Sequence, residues 1–153
     1  MLDLFDEFKL VVATLEAHAV DYALCGGLAM AVYGVPRATI DIDLLVPPAT
    51  LDAVIALAEA LGYTFAAKPM TFANGAIQIR RISKIAAGDV LMLDLLLVTP
   101  EIRSVWDARI TVHWEYQTLK VVSRNGLIML KSLRRSGQDL DDIQRLQEAI
   151  DAD

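Results

Sequence analysis

Two strand-like stretches hold aspartate where a chain ordinarily buries hydrocarbon. They are "TIDIDLLV", residues 39–46, and "VLMLDLLLV", residues 90–98. Side chains alternate between the faces of a strand. Thr39, Asp41 and Asp43 therefore share one face of the first stretch, and Ile40, Ile42 and Leu44 the other. In the second, Asp94 shares its face with Val90, Met92, Leu96 and Val98, and the opposite face is leucine throughout. Aspartate is rarely buried without a partner, and burying an unpaired charge is costly. The fold must bring positive charge to these positions. For Asp41 and Asp43 alone, arginine pairing serves as well as a ligand site, with Arg37 nearest in sequence. A third carboxylate on another central strand favours a metal site. Hard divalent cations take oxygen ligands, and two such ions polarise the attacking and leaving oxygens of a phosphoryl transfer.

The residues before the first stretch fit the same reading. "DYALCGG" reads as a short strand running into a tight turn, and Gly27 to Tyr33 as a helix stopped by Gly34 and Pro36. Backbone N–H groups at a helix start favour anions, and glycine lets a phosphate approach closely. Gly26 and Gly27 alone signal only a turn. Followed by the aspartate pair, they read as a triphosphate cradle beside a metal site.

The remaining pattern predicts helices over 4–19, 51–61, about 100–108, 123–135 and 138–150. Leu140, Ile143, Leu146 and Ile150 form the apolar stripe of the last one. Strands are predicted over 63–72 and 76–82 around an Asn74-Gly75 turn, over 90–98, and as a hairpin over 110–114 and 118–122. Helices interspersed with strands in this order imply an α/β (α+β) fold, a mixed sheet packed with helices.

With 153 residues the chain suits one domain, expected over 1–153. It has a net charge of −6, which argues against broad sequence-independent binding to nucleic acid. Basic residues bunch at Arg80, Arg81 and Lys84, and at Lys131, Arg134 and Arg135, clusters that usually face solvent. Although 55% of residues are hydrophobic, no run reaches a membrane span and the start lacks the pattern of a signal peptide. A cytoplasmic location without membrane association is expected. The single cysteine, Cys25, excludes an intrachain disulfide and reads as a small buried residue. Lys131 alone reads as a surface lysine. Asp139, Asp141 and Asp142 fall in the first turn of the last helix, where acidic residues suit the helix dipole. His113, Trp106 and Trp114 read as packing or surface residues.

Gly26, Gly27, Asp41, Asp43 and Asp94 together resemble the signature of the nucleotidyltransferase superfamily, with its DNA polymerase β-like fold. "GGLAMAVYGVPRATIDIDLLV" and "LIMLKSLRRSGQDLDDIQRL" look like small bacterial members related to abortive-infection type IV toxins and the minimal nucleotidyltransferases. The resemblance implies transfer of a nucleoside monophosphate from an NTP to a hydroxyl of an RNA, protein or small-molecule acceptor, with release of pyrophosphate. It implies two Mg²⁺ ions, or Mn²⁺, on Asp41, Asp43 and Asp94, with Asp94 helping to activate the acceptor. Gly26 and Gly27 would hold the β,γ-phosphates, Lys131 would neutralise triphosphate charge, and Arg37 and Thr39, just before the aspartate pair, would complete the nucleotide-binding set. Arg37 suits either phosphate or an aspartate. The sequence departs from its relatives at Ser136, where they often carry arginine, and has no room for an acceptor-selecting helical domain. A cognate toxin or antitoxin is the expected protein partner. A non-catalytic, antitoxin-like binding module is the alternative.

Overall fold

The structure is a computed structural model describing residues 2–36, 38–115, 117–135 and 137–152, the last three by backbone only. Helix α1 (Leu4–Ala17) starts at Asp3, whose carboxylate accepts from the Asp6 N–H at 3.0 Å. Its buried Phe8, Val11, Val12 and Leu15 follow the helical period. Strand β1 (Ala23–Cys25) runs directly into α2 (Gly26–Val32), and β2 (Asp41–Val46) follows. A 3₁₀ turn leads into α3 (Leu51–Ala60). Strands β3 (Phe65–Ala66) and β4 (Met70–Phe72) stand where one strand was expected over 63–72. Pro69, which offers no N–H to a ladder, lies in the gap between them. Strands β5 (Ile77–Ala86) and β6 (Asp89–Leu97) form a long hairpin. A short α4 (Arg103–Asp107) precedes the hairpin β7 (Ile110–Trp114) and β8 (Gln117–Val121). Helix α5 (Arg124–Arg134) is capped by Ser123, whose hydroxyl accepts from the Gly126 N–H, and α6 (Gly137–Ala152) ends the chain.

The strands form one mixed sheet of order β3-β5-β6-β2-β1-β8-β7, with β4 also on β5. Pairings β2–β6 and β1–β8 are parallel; β1–β2, β5–β6 and β7–β8 are antiparallel. The expected mixed sheet packed with helices is what forms. One sheet face carries Ile42, Leu44, Val46, Leu91, Leu93, Leu95 and Leu97, all buried. Helix α1 lies on that side. Its Glu7 accepts from Lys84 Nζ at 2.6 Å and from the Tyr63 hydroxyl at 3.2 Å. Lys84 and Arg81 are three residues apart on β5, so they point to opposite faces. The other face, with Asp41, Asp43, Asp94 and Arg81, is left for α5, whose Leu127 and Leu130 line a cavity with Ile77 and Leu96.

The last helix departs from its expected stripe. Leu140 is 57% exposed, whereas Asp139, Asp142 and Leu146 are fully buried. The helix is rotated so that two carboxylates face α5, because α5 presents Lys131 and Arg134 there. Ile150 lies outside the side chains described. Among the described residues no helix is long and apolar enough to cross a membrane.

Leu93 is fully buried between Ile42 and Ile82 in the sheet centre. Leu93→Ala should destabilise the protein by about 2–5 kcal/mol, read as a lower urea midpoint with the m-value unchanged.

Candidate functional site

Strand register assembles the carboxylates. In the parallel β2–β6 ladder Asp43 lies directly opposite Asp94, and Asp41 opposite Met92. Since Asp41 and Asp43 share a face, all three meet on one side of the sheet. Each offers an oxygen within 4.8 Å of the others, an all-oxygen donor set that suits a hard divalent cation. Burial, the Asp94 charge and the Asp41 charge together push the Asp43 carboxyl up to about 7, partly offset by Arg134 and Lys131. Three carboxylates brought this close call for positive charge beside them.

Arg81 supplies part of it. In the antiparallel β5–β6 ladder Arg81 is the partner of Asp94. Its Nε donates to Asp94 Oδ1 at 2.7 Å and its Nη2 to Oδ2 at 2.8 Å, a two-pronged ion pair. Nη2 also lies 3.9 Å from Asp41 Oδ2. Its hydrogen bonds to Asp94, with the charges of Asp94, Asp41 and Asp43, hold the guanidinium firmly protonated against the opposing effect of burial. Arg81 had been expected to belong to a solvated basic cluster. A two-residue turn at Ala87 and Gly88, both left-handed (φ 53° and 84°), sets the hairpin register and carries Arg81 to Asp94. That turn lacks an Asn-Gly or Asp-Gly signature, so β5 was expected to stop at Ile82.

The glycine pair is explained by close approach. Gly26 begins α2 with φ +67°, and a Cβ there would lie 2.6 Å from Asp43 Cγ. A Cβ on Gly27 would lie 2.7 Å from Thr39 Oγ1. Both glycines therefore make room for the side chains of Thr39 and Asp43, and Gly26 also adopts a conformation costly for other residues. Thr39 lies just before β2 rather than in it. Arg37 and Ser136 lie outside the described residues.

These groups open onto a cavity of about 340 Å³. Gly26, Thr39, Asp41 and Asp43 line one side; Lys131 and Arg134 stand on α5; Ile77, Leu96, Leu127 and Leu130 make it apolar. Cys25 also borders it, with burial raising its thiol well above the usual range. Gly27 and Asp94 are not among the residues that line it.

Lys131 is not a surface lysine. It is 4% exposed, donating to Asp142 at 2.8 Å with Asp139 3.8 Å away. Arg134 holds Asp139 by two hydrogen bonds of 3.0 and 3.1 Å. Asp139 and Asp142 are therefore the buried counter-charges of the cavity's cations, a role beyond the expected one at the helix start. Trp106 is buried, and Trp114 packs on the rings of Phe5 and Phe8. His113 is an exposed strand residue.

No family model and no curated protein matches the sequence. Solved structures do match the fold. The lincosamide antibiotic adenylyltransferase LnuA, bound to lincomycin, is 17% identical with a TM-score of 0.65, over 94% of this chain and 96% of that one. ANT(2″)-Ia, in complex with adenylyl-2″-tobramycin, is 14% identical with a TM-score of 0.66, over 95% and 88%. A Thermotoga maritima protein described as a nucleotidyltransferase is 13% identical with a TM-score of 0.60, over 97% and 93%. At these identities the likeness establishes the nucleotidyltransferase fold expected from the sequence.

Two stability outcomes follow. An unfolded aspartate titrates near about 3.9 and Asp43 near about 7, so between those values the folded chain holds the extra proton. Stability falls as pH rises through that window. In EDTA, Asp43→Asn should raise Tm by at least about 3 °C at pH 8, with the gain fading toward pH 5. Asp142→Ala leaves the Lys131 ammonium buried beside a lost partner, which should cost about 3 kcal/mol or more in urea unfolding.

Proposed function

We propose that residues 1–153 act as a single metal-dependent nucleotidyltransferase domain, moving a nucleoside monophosphate from an NTP to a hydroxyl of a small molecule. The observation that carries this reading is the convergence of Asp41, Asp43 and Asp94 within 4.8 Å beside a cavity, in a chain with the nucleotidyltransferase fold.

In this reading Asp41, Asp43 and Asp94 hold divalent cations, Mg²⁺ being the suggested species. Bound there, the ions supply polarisation of the reacting phosphoryl and hydroxyl oxygens. The chain's own groups do the rest. Gly26 and Gly27 offer backbone N–H groups of the first turn of α2, which have no partner within the helix, to the β,γ-phosphates. Lys131 and Arg134, which line the cavity from α5, offset triphosphate charge. Asp139 and Asp142 keep those two cations in place. Thr39 shapes the loop entering β2. Asp94, set opposite Asp43, helps activate the acceptor hydroxyl, whose proton passes to a carboxylate oxygen of the triad as the hydroxyl oxygen attacks the α-phosphorus and pyrophosphate leaves.

Two observations support a small acceptor. A cavity of about 340 Å³ with apolar walls is of the size that takes small molecules. LnuA, matched over 96% of its length, was solved with lincomycin bound, so a domain of this fold and size can take a small acceptor.

The test is incubation with each labelled NTP, Mg²⁺ or Mn²⁺, and a panel of hydroxyl-bearing small molecules that includes lincosamides and aminoglycosides, with tRNA alongside. Labelled product and pyrophosphate should appear in equal amounts, and Asp41→Ala should lower the rate at least about a hundredfold. Absence of pyrophosphate with every acceptor, together with no metal-dependent NTP binding, refutes the enzymatic reading. Transfer to tRNA alone refutes the small-molecule acceptor.

A further inference from the structure

The third carboxylate is already occupied, and by a group of this chain. Both Asp94 oxygens accept from Arg81, at 2.7 and 2.8 Å. Asp94 is 3% exposed and does not line the cavity, whereas Asp41 and Asp43 do. Arg81 is different: its side chain is 32% exposed, and so has a path away from the pair toward solvent. Its Nη2, 3.9 Å from Asp41, spans the two strands that hold the carboxylates.

We propose that Arg81 is a resident counter-cation that competes with a divalent cation for Asp94 and must release at least one of its oxygens when the ion binds. This rests on the metal centre of the preceding section. Three carboxylates within 4.8 Å repel one another, and a fixed guanidinium lets the sheet form around them before any ion arrives. The same guanidinium then opposes loading, because it lowers the negative potential an incoming cation sees and holds the oxygens the ion needs. The grip is two-pronged, so a Lys at 81 keeps the charge but can donate from one nitrogen only. Binding of the ion is accordingly an exchange of partners at Asp94, and it is weaker than the carboxylate count alone implies.

The test is Mn²⁺ binding to the full chain without nucleotide, by calorimetry and by the electron paramagnetic resonance signal of free Mn²⁺. Arg81→Gln should bind Mn²⁺ about tenfold more tightly than the wild type or better, since one positive charge a few ångströms from the ion is gone. Arg81→Lys should bind roughly two- to fivefold more tightly, having lost only the second prong. Unchanged or weaker binding in both variants, while the wild type binds, overturns the role of Arg81 and leaves the metal centre standing. No binding by any of the three overturns both. A measurement that needs no variant stands beside these. The Arg81 Nε–H resonance of the wild-type protein should shift or exchange faster on saturation with Mg²⁺. An Nε–H signal unmoved by bound Mg²⁺ overturns the exchange.

Discussion

Everything at the site depends on the parallel pairing of β2 with β6. That ladder sets Asp43 opposite Asp94 and brings Asp41 one pleat away on the same face. A shift of one residue would send Asp94 to the leucine face, where α1 packs, and would bring a leucine to the cavity. The apolar alternation that builds the core thus also determines where the charges meet. Burial and, after it, the charges of the neighbouring carboxylates raise the pKa of Asp43, so this one group carries the cost of the arrangement. The fold tolerates it because the opposite face, with its buried leucines, holds the strands in register whatever the charges prefer.

Around this centre the structure answers charge with charge from neighbouring elements. Arg81 comes across from β5 to Asp94, and the α6 carboxylates come to Lys131 and Arg134 on α5. The two arrangements are mirror images in sign: one supplies a cation to an anionic strand, the other supplies anions to a cationic helix. Both keep charged groups beside an apolar cavity without leaving them bare, which burial would otherwise make costly. The second explains why α6 turns Leu140 outward and Asp139 inward against its hydrophobic pattern. Satisfying a nearly buried lysine outweighs covering one leucine, since an unpaired buried ion costs more than an exposed side chain of that size gives up.

Much of the fold was legible along the chain. The alternation of β2 and β6, the short β1 before the glycine pair, the Ser123 cap and the α1 stripe all stand close to where local pattern put them. So do the three aspartates, because a charge inside an apolar strand is visible without any partner. What escaped was pairing. Arg81 looked like one of several surface cations, and only the unmarked Ala87-Gly88 turn, which lengthens β5 to Ala86, delivers it to Asp94. Lys131, Asp139 and Asp142 looked like ordinary residues of solvent-facing helix ends. Their burial depends on how α5 and α6 lie against each other, and helix periodicity does not state that.

The sequence by itself determined the kinds of element, the faces of the central strands and the presence of carboxylates that need a partner, because those follow from period and from the cost of burying charge. The tertiary structure alone decided which partner each charge received. Register and helix packing are long-range quantities, set by the sum of many apolar contacts. The ion pairs Arg81–Asp94 and Lys131–Asp142 exist because that sum places their ends within reach.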